Sequence, residues 1–259
     1  MENNITILGA NGTKGVEGGT SAFYINEHNV IDAGNLLCPL EEAVAEIETI
    51  WLTHSHLDHI LDIAYVLDSY FAARTKTLIV AALPETIRAL REHFFNDVIW
   101  PDFEKINLLD GTSKALGYKE IKIAEAYQLD DKYTIEAFLT DHTVESCGFK
   151  ITADGSSVLV TADTYSLKNV IDLIHADKNI VSLVVECSFP SEMKKLARES
   201  KHLTPELLFN ALLPIENIGI NLYINHIKPI YKKIVSEEIM RYKGAWEPKI
   251  LKDFDKIHF

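Results

Sequence analysis

Apolar and polar residues alternate over short stretches at the start of the chain, the period-two pattern of half-buried strands. Ile5-Thr6-Ile7-Leu8, Ser21 to Ile25 and Asn29 to Asp32 read as strands, broken by the glycine-rich run Gly9 to Gly19 and by Asn26-Glu27-His28, and stopped at Gly34. Pro39 to Ile47 predicts a helix, with proline at a first-turn position and glutamates close behind it. A strand from Thr49 to Leu52 runs directly into a cluster of histidines. From Asp58 to Arg74 the apolar spacing becomes helical, through Ile60, Ile63, Ala64, Leu67 and Phe71. Strand Thr77 to Val80 and helix Pro84 to Phe95 repeat that order.

Between residues 117 and 163 the pattern returns to strands: Glu120 to Ala124, Tyr133 to Thr140, Cys147 to Thr152 and Ser157 to Thr161, the last two joined by an Asp154-Gly155 turn. Helices and strands then alternate: helix Leu167 to His175, strand Ile180 to Val185, helices Glu192 to Glu199 and Pro205 to Leu213, strand Gly219 to Ile224, helix Pro229 to Arg241. Two strand-rich stretches, each followed by helices, predict two sheets packed face to face with helices outside. No repeat or Gly/Ser linker divides the chain, so residues 1–259 read as one domain.

Composition narrows the class. With 259 residues, 47% apolar and 24% charged, the chain is an ordinary globular one with room for a sizeable core. Its 25 basic and 38 acidic residues leave −13, which argues against neutralising an extended nucleic acid. No apolar run approaches the ~20 residues of a membrane span. The start, Met1-Glu2-Asn3-Asn4, reads against a signal peptide. Cys38, Cys147 and Cys187 have no metal spacing and read as buried small hydrophobes in a reducing, cytoplasmic compartment.

Ten histidines in so acidic a chain are the exceptional feature. In Thr53-His54-Ser55-His56-Leu57-Asp58-His59, His54 and His56 are two apart on an extended segment and project to one side. Asp58 and His59 follow where the chain turns into a helix and can face a second point. These are nitrogen and oxygen ligands of the type zinc and similar ions accept. One cluster cannot close two sites, and three more candidates stand at strand ends: His142 after Thr140-Asp141, Asp163 after Thr161-Ala162, and His226 after Asn225.

With those residues in this order the sequence resembles the metallo-β-lactamase superfamily. The resemblance implies an α+β fold, an αββα sandwich of two mixed sheets with helices on both outer faces. It further implies that His54, His56 and His142 hold one divalent ion, that Asp58, His59 and His226 hold a second, and that Asp163 bridges. A narrower likeness, to class II 3′,5′-cyclic-nucleotide phosphodiesterases, rests on residues 53–60 (THSHLDHI), 94–103 (FFNDVIWPDF), 186–189 (ECSF), 202–205 (HLTP) and 226–229 (HIKP). Asp62 and Leu67-Asp68 depart from that class, which often has a small residue and then Ser-Pro or Ser-Ala there.

What the resemblance implies is hydrolysis of cAMP or cGMP to the 5′-monophosphate by attack of a metal-bridging hydroxide. Two ions about 4 Å apart can acidify a shared water and clamp the attacking and leaving oxygens. Zinc fits the ligand set, with manganese or iron also admitted. Asp58 can accept a hydrogen bond from the attacking water besides binding metal. His202, outside the seven ligands and just before Thr204-Pro205, is the candidate proton donor to the leaving alkoxide, with Glu186 able to orient it. Trp100 offers a flat platform to a purine and Asn96 could read its edge, whereas Phe94 and Phe95 read as core. The partner expected is therefore a small cyclic nucleotide, with no membrane and no extended nucleic acid; a homodimer stays open. A tRNase Z-type RNA-processing enzyme and a non-catalytic dinuclear metal-binding protein are the alternatives.

Overall fold

Strict alternation of side chains decides how this chain layers. In the computed structural model, which describes residues 3–216 and 218–259, the strands fall into two seven-stranded sheets. Met1 and Glu2, part of the acidic start noted above, lie outside the described residues, as does Asn217. The first sheet takes β1 (Asn4–Gly9), β2 (Ala22–Asn26), β3 (Asn29–Ile31), β4 (Thr49–Trp51), β5 (Leu78–Ala82) and β6 (Leu116–Glu120). The second takes β7 (Ala126–Gln128), β8 (Tyr133–Leu139), β9 (Cys147–Ala153), β10 (Ser156–Val160), β11 (Ile180–Glu186), β12 (Asn221–Asn225) and β13 (Lys249–Ile250). The last strand, β14 (Lys256–His258), returns to pair antiparallel with β1.

The helices are α1 (Leu37–Leu40), α2 (Leu57–Ser69), α3 (Pro84–His93), α4 (Lys168–Ala176), α5 (Lys194–Glu199), α6 (Pro205–Leu212) and α7 (Lys232–Tyr242). Three apolar layers separate the four tiers. Ile5, Ile7, Phe23, Ile31, Trp51, Ile135, Phe149 and Val184 fill the space between the sheets. Ile50 and Leu52 point the other way, onto Ile63 and Leu67 of α2 and Ile87 and Leu90 of α3. Leu183 and Val185 likewise leave the inter-sheet layer for Leu208 and Val235. This is the αββα sandwich.

Strand direction places the site. β3, β4, β5 and β6 run parallel, and so do β10, β11 and β12. β8 is antiparallel to β9, and β9 to β10, so β8 shares the direction of β10. The C-terminal ends of β8, β10, β11 and β12 thus open on one edge, and Cys147 N donates to Thr53 O at 3.0 Å to join that edge to the end of β4.

Some expectations need correction. The helix expected over Pro39 to Ile47 is only the end of α1, followed by a 3-10 segment, Glu41–Glu46, because Glu41 turns left-handed at φ +48°. The strand placed at Glu120 to Ala124 is β6 instead, ending at Glu120, with Ala124 at φ +60°. β7, β13 and β14, of two or three residues each, carry too few side chains to show a period. Cys38 is exposed on α1, not buried; Cys147 and Cys187 are buried, and all three are free. Asp154 (φ +50°) and Gly155 (φ +82°) make the expected hairpin turn.

Candidate metal centre

β4 delivers Thr53 and His54 at the sheet edge, and His56, extended at ψ 148°, caps α2. Asp58 and His59 therefore occupy the first helical turn. The backbone order alone separates the cluster into two pairs, as the spacing predicts. His142, Asp163 and His226 arrive from the ends of β8, β10 and β12. His54, His56, His142 and Asp163 bring one ligand atom each within 4.8 Å of one another; Asp58, His59 and His226 do the same beside them. His56 Nδ1 lies 3.1 Å from both His54 Nε2 and His142 Nε2. Asp163 Oδ2 sits 3.7 Å from His54 and His142 and 3.5 Å from His59, while its Oδ1 is 3.1 Å from His226 Nε2. Asp163 faces both groups.

The remaining ring nitrogens are tied back, which aims the free ones inward. Asp32 Oδ2 accepts from His59 Nδ1 at 2.7 Å and its two oxygens accept from the Thr53 hydroxyl, which in turn lies 3.0 Å from His54 Nδ1. His142 Nδ1 donates to Lys201 O at 3.1 Å, and His226 Nδ1 lies 3.0 Å from Ser188 Oγ. Such partners set the tautomer that leaves Nε2 for a ligand. Asp32 (φ +56°), Ala162 (φ +52°), Lys201 (φ +57°) and His226 (φ +60°) all adopt left-handed backbone at or beside the site. Non-glycine residues hold that conformation at a cost of about 1–3 kcal/mol each, where surrounding packing imposes it.

Burial pushes His54 well below the usual imidazole pKa, lowers His56, and takes His142 down to about 4. These rings are neutral, the form that ligates. Burial opposes a charge on His59, yet Asp32 and Asp163 on either side raise it well above the usual range. Burial also opposes ionisation of Asp58 and Asp163, but His226 and His59 hold both carboxyls below the usual range. Among the described residues, buried His59 Nε2, His226 Nε2 and Asp163 Oδ1 form no well-aligned hydrogen bond, although the last two lie 3.1 Å apart. Leaving such atoms unsatisfied costs about 1–3 kcal/mol apiece, and a divalent cation is the group that would satisfy all three at once. The donor set fits a metal pair.

His202, 7% exposed, stands over this centre, with Nδ1 donating to Glu186 Oε1 at 2.9 Å and lying 4.0 Å from Asp163 Oδ2. Burial lowers its pKa, but Glu186 outweighs that and the net shift is upward. Glu186 is fully buried at the end of β11 and also accepts from the Thr164 and Leu203 amides and the Ser188 hydroxyl. Asp163, His202 and His226 could themselves group around a cation.

Asn96 and Trp100 stand elsewhere. The Asn96 carboxamide bonds Glu92 O, Val98 N and Ile99 N within its own loop, and none of its contacts among the described residues reaches the histidines. Trp100 packs against the α2–α3 core and meets Tyr65 edge-on at 5.6 Å. Phe94 and Phe95 join that core, as expected. Asp62 turns inward and accepts from the Leu36 and Leu37 amides at 2.6 and 3.1 Å, which gives the departing residue a structural task. Asp32, Thr53 and Ser188 were not anticipated. Asp32 did carry a signal, an acid directly after a strand and before Ala33-Gly34; a lone Thr or Ser carries none.

The family model of class-II cAMP phosphodiesterases matches residues 28–156. The 3′,5′-cyclic-nucleotide phosphodiesterase 1 of Saccharomyces cerevisiae is 26% identical over 233 residues, covering 76% of this chain and 60% of the yeast protein. The chain thus spans about 60% of that curated relative's length. Unliganded yeast PDE1 superposes with a TM-score of 0.80 at 20% identity over the whole of both chains. The metallo-β-lactamase fold protein YhfI of Bacillus subtilis gives 0.74 at 18% identity, over 99% of each. Residues 28–156 thus match the class-II cAMP phosphodiesterases, in a chain with the metallo-β-lactamase fold.

Proposed function

We propose that the protein is a metal-dependent phosphodiesterase that opens 3′,5′-cyclic nucleotides to nucleoside 5′-monophosphates. The observation that carries this reading is the convergence of five histidines and two aspartates on two adjacent points, in a chain with a class-II phosphodiesterase match. In this reading His54, His56 and His142 would hold one ion and Asp58, His59 and His226 the other, with Asp163 placed between the two groups. When bound, a divalent pair supplies Lewis acidity and positive charge for a phosphodiester. Zinc suits these nitrogen and oxygen donors.

The protein's own groups do the rest. Asp58, ionised and at the edge of the centre, would orient an attacking water by accepting a hydrogen bond from it. Glu186 holds the His202 ring by Nδ1, which keeps a proton available for the departing ribose oxygen. Asp32 and Ser188 keep His59 and His226 from rotating. The net charge of −13 favours a small anion over a tRNA, whose phosphates need contacts far from the centre. The whole chain acts as one domain, since Ile5 and Ile257 share the inter-sheet core. No helix among the described residues is long and apolar enough to cross a membrane, and three free thiols support a cytoplasmic location.

The test is turnover of cAMP, cGMP, 2′,3′-cyclic nucleotides and a pre-tRNA by the metal-loaded protein. Release of 5′-monophosphate from a 3′,5′-cyclic nucleotide is expected. Cleavage of the pre-tRNA alone would overturn the reading.

A further inference from the structure

We propose that Lys201 is a positioning residue, a clamp that holds the candidate ligand His142 and the candidate proton donor His202 in one fixed arrangement. This rests on the phosphodiesterase reading above for the roles of the two histidines and adds the residue that joins them. The clamp begins at the end of α5. Lys201 N donates to Arg198 O at 3.4 Å and His202 N to Ala197 O at 2.8 Å, the paired bonds by which a helix closes on a left-handed residue. Lys201 is that residue, at φ +57°. Glycine is the usual occupant of such a position, because a Cβ is strained there. A lysine in this place therefore calls for a reason beyond turning the chain.

Its contacts supply one. The Lys201 carbonyl accepts from His142 Nδ1 at 3.1 Å, and the Lys201 ammonium donates to Asp141 Oδ1 at 2.7 Å. One residue thus grips two neighbours on the loop after β8, by its backbone and by its side chain. Asp141 is also held by the two residues that follow Asp163. Its amide donates to Thr164 Oγ1 at 3.1 Å, and its carbonyl accepts from Tyr165 N at 2.9 Å. The Lys201 ammonium lies 5.9 Å from the centre of the Tyr165 ring. The loops that carry His142, Asp163 and His202 are therefore stitched together beside each of those residues. Stability does not account for the ion pair. With side chains 37% and 41% exposed, Lys201 and Asp141 form a contact that solvent screens to little worth. What the clamp fixes is the direction of the His142 ring, with Nδ1 occupied and Nε2 turned inward, 3.1 Å from His56 Nδ1. His202 is the next residue along the chain, so any shift of the Lys201 peptide would move both histidines.

The experiment compares Lys201→Gly, Lys201→Arg and Asp141→Asn with the wild type. It reads zinc binding to the metal-free protein by titration calorimetry, urea unfolding of the metal-free protein, and kcat and KM for cAMP and cGMP. Lys201→Gly keeps the carbonyl and suits the left-handed turn, but removes the ammonium. Its affinity for one of two zinc ions should fall by about 10–100-fold, the usual effect of losing a group that orients a ligand, while the other ion binds as before. The kcat should fall over the same range with KM little changed. Asp141→Asn should reproduce both losses, and the Lys201→Gly, Asp141→Asn double variant should lose no more than either alone. Lys201→Arg, which keeps a cation within reach of Asp141, should recover most of the wild-type values. A shift of the urea midpoint with zinc affinity and kcat unchanged in both single variants would reveal a merely structural role and overturn the clamp. Additive losses in the double variant would overturn it as well. Loss of zinc affinity in a protein whose wild type turns over no cyclic nucleotide would leave the clamp on His142 standing and overturn the phosphodiesterase reading instead.

Discussion

Asp163 is 2% exposed and lies within 3.7 Å of four histidines, so it sets the spacing of the whole centre. Asp163→Ala should lose metal and activity together, because one carboxylate helps neutralise both cations. Elemental analysis beside the rate checks this, and a variant with two ions and full activity would disprove the bridge. His202→Ala should behave differently. Both ions should remain, while hydrolysis of a cyclic nucleotide slows by roughly 10²–10⁴-fold, the usual worth of a positioned acid. The loss should be much smaller on bis(p-nitrophenyl) phosphate, whose leaving group departs without a proton. Loss of metal in His202→Ala would instead place it in the grouping it can form with Asp163 and His226. The seven side chains that converge here were legible because their types and order are rare together. Ser188, which bonds Glu186 and lies 3.0 Å from His226 Nδ1, was not, because a serine's partners depend on what folds beside it.

At the scale of elements, α2 is the piece on which the centre hangs, and it is anchored from both ends of its first two turns. His59 bonds Asp32, and Asp62 holds the amides of Leu36 and Leu37 at the entry to α1. Asp62→Ala would leave one buried and one half-buried donor unmet and should lower stability by about 1–3 kcal/mol per donor not reached by water. Urea unfolding measures it, and an unchanged midpoint would show that α1 needs no such support. α2 itself was readable from the spacing of Ile60, Ile63 and Leu67, all buried. α1 was not: four residues ended by the left-handed Glu41 have no period to read, and the glutamates that suggested a longer helix form a 3-10 turn instead. The shift of β6 to Leu116–Glu120 has a similar origin, since its partner β5, not its own composition, sets its register.

Across the whole molecule, loops from both sheets meet only if the sandwich is closed, so metal and fold should be coupled. A cation that binds the folded state alone adds ~2.7 kcal/mol when free metal is about 100 times its Kd. For a chain of this size each kcal/mol is worth about 2–4 °C, so stripping with a chelator should lower Tm by several degrees and re-addition should restore it. An unchanged Tm would mean that the seven side chains do not bind metal tightly in the folded protein. By itself the sequence determined the four-tier layering, because period-two and period-3.6 patterns state which face each element buries. It also determined which side chains gather at the end of β4, because the His-x-His-x-Asp-His run spans the turn from strand to helix within six residues. Only the tertiary structure decided that Asp32, Ser188 and Gly12 pack against the histidines of the centre and that Asn96 serves its own loop. Those contacts join residues tens to hundreds of positions apart, and no local pattern encodes a pairing that exists only once the two sheets have closed.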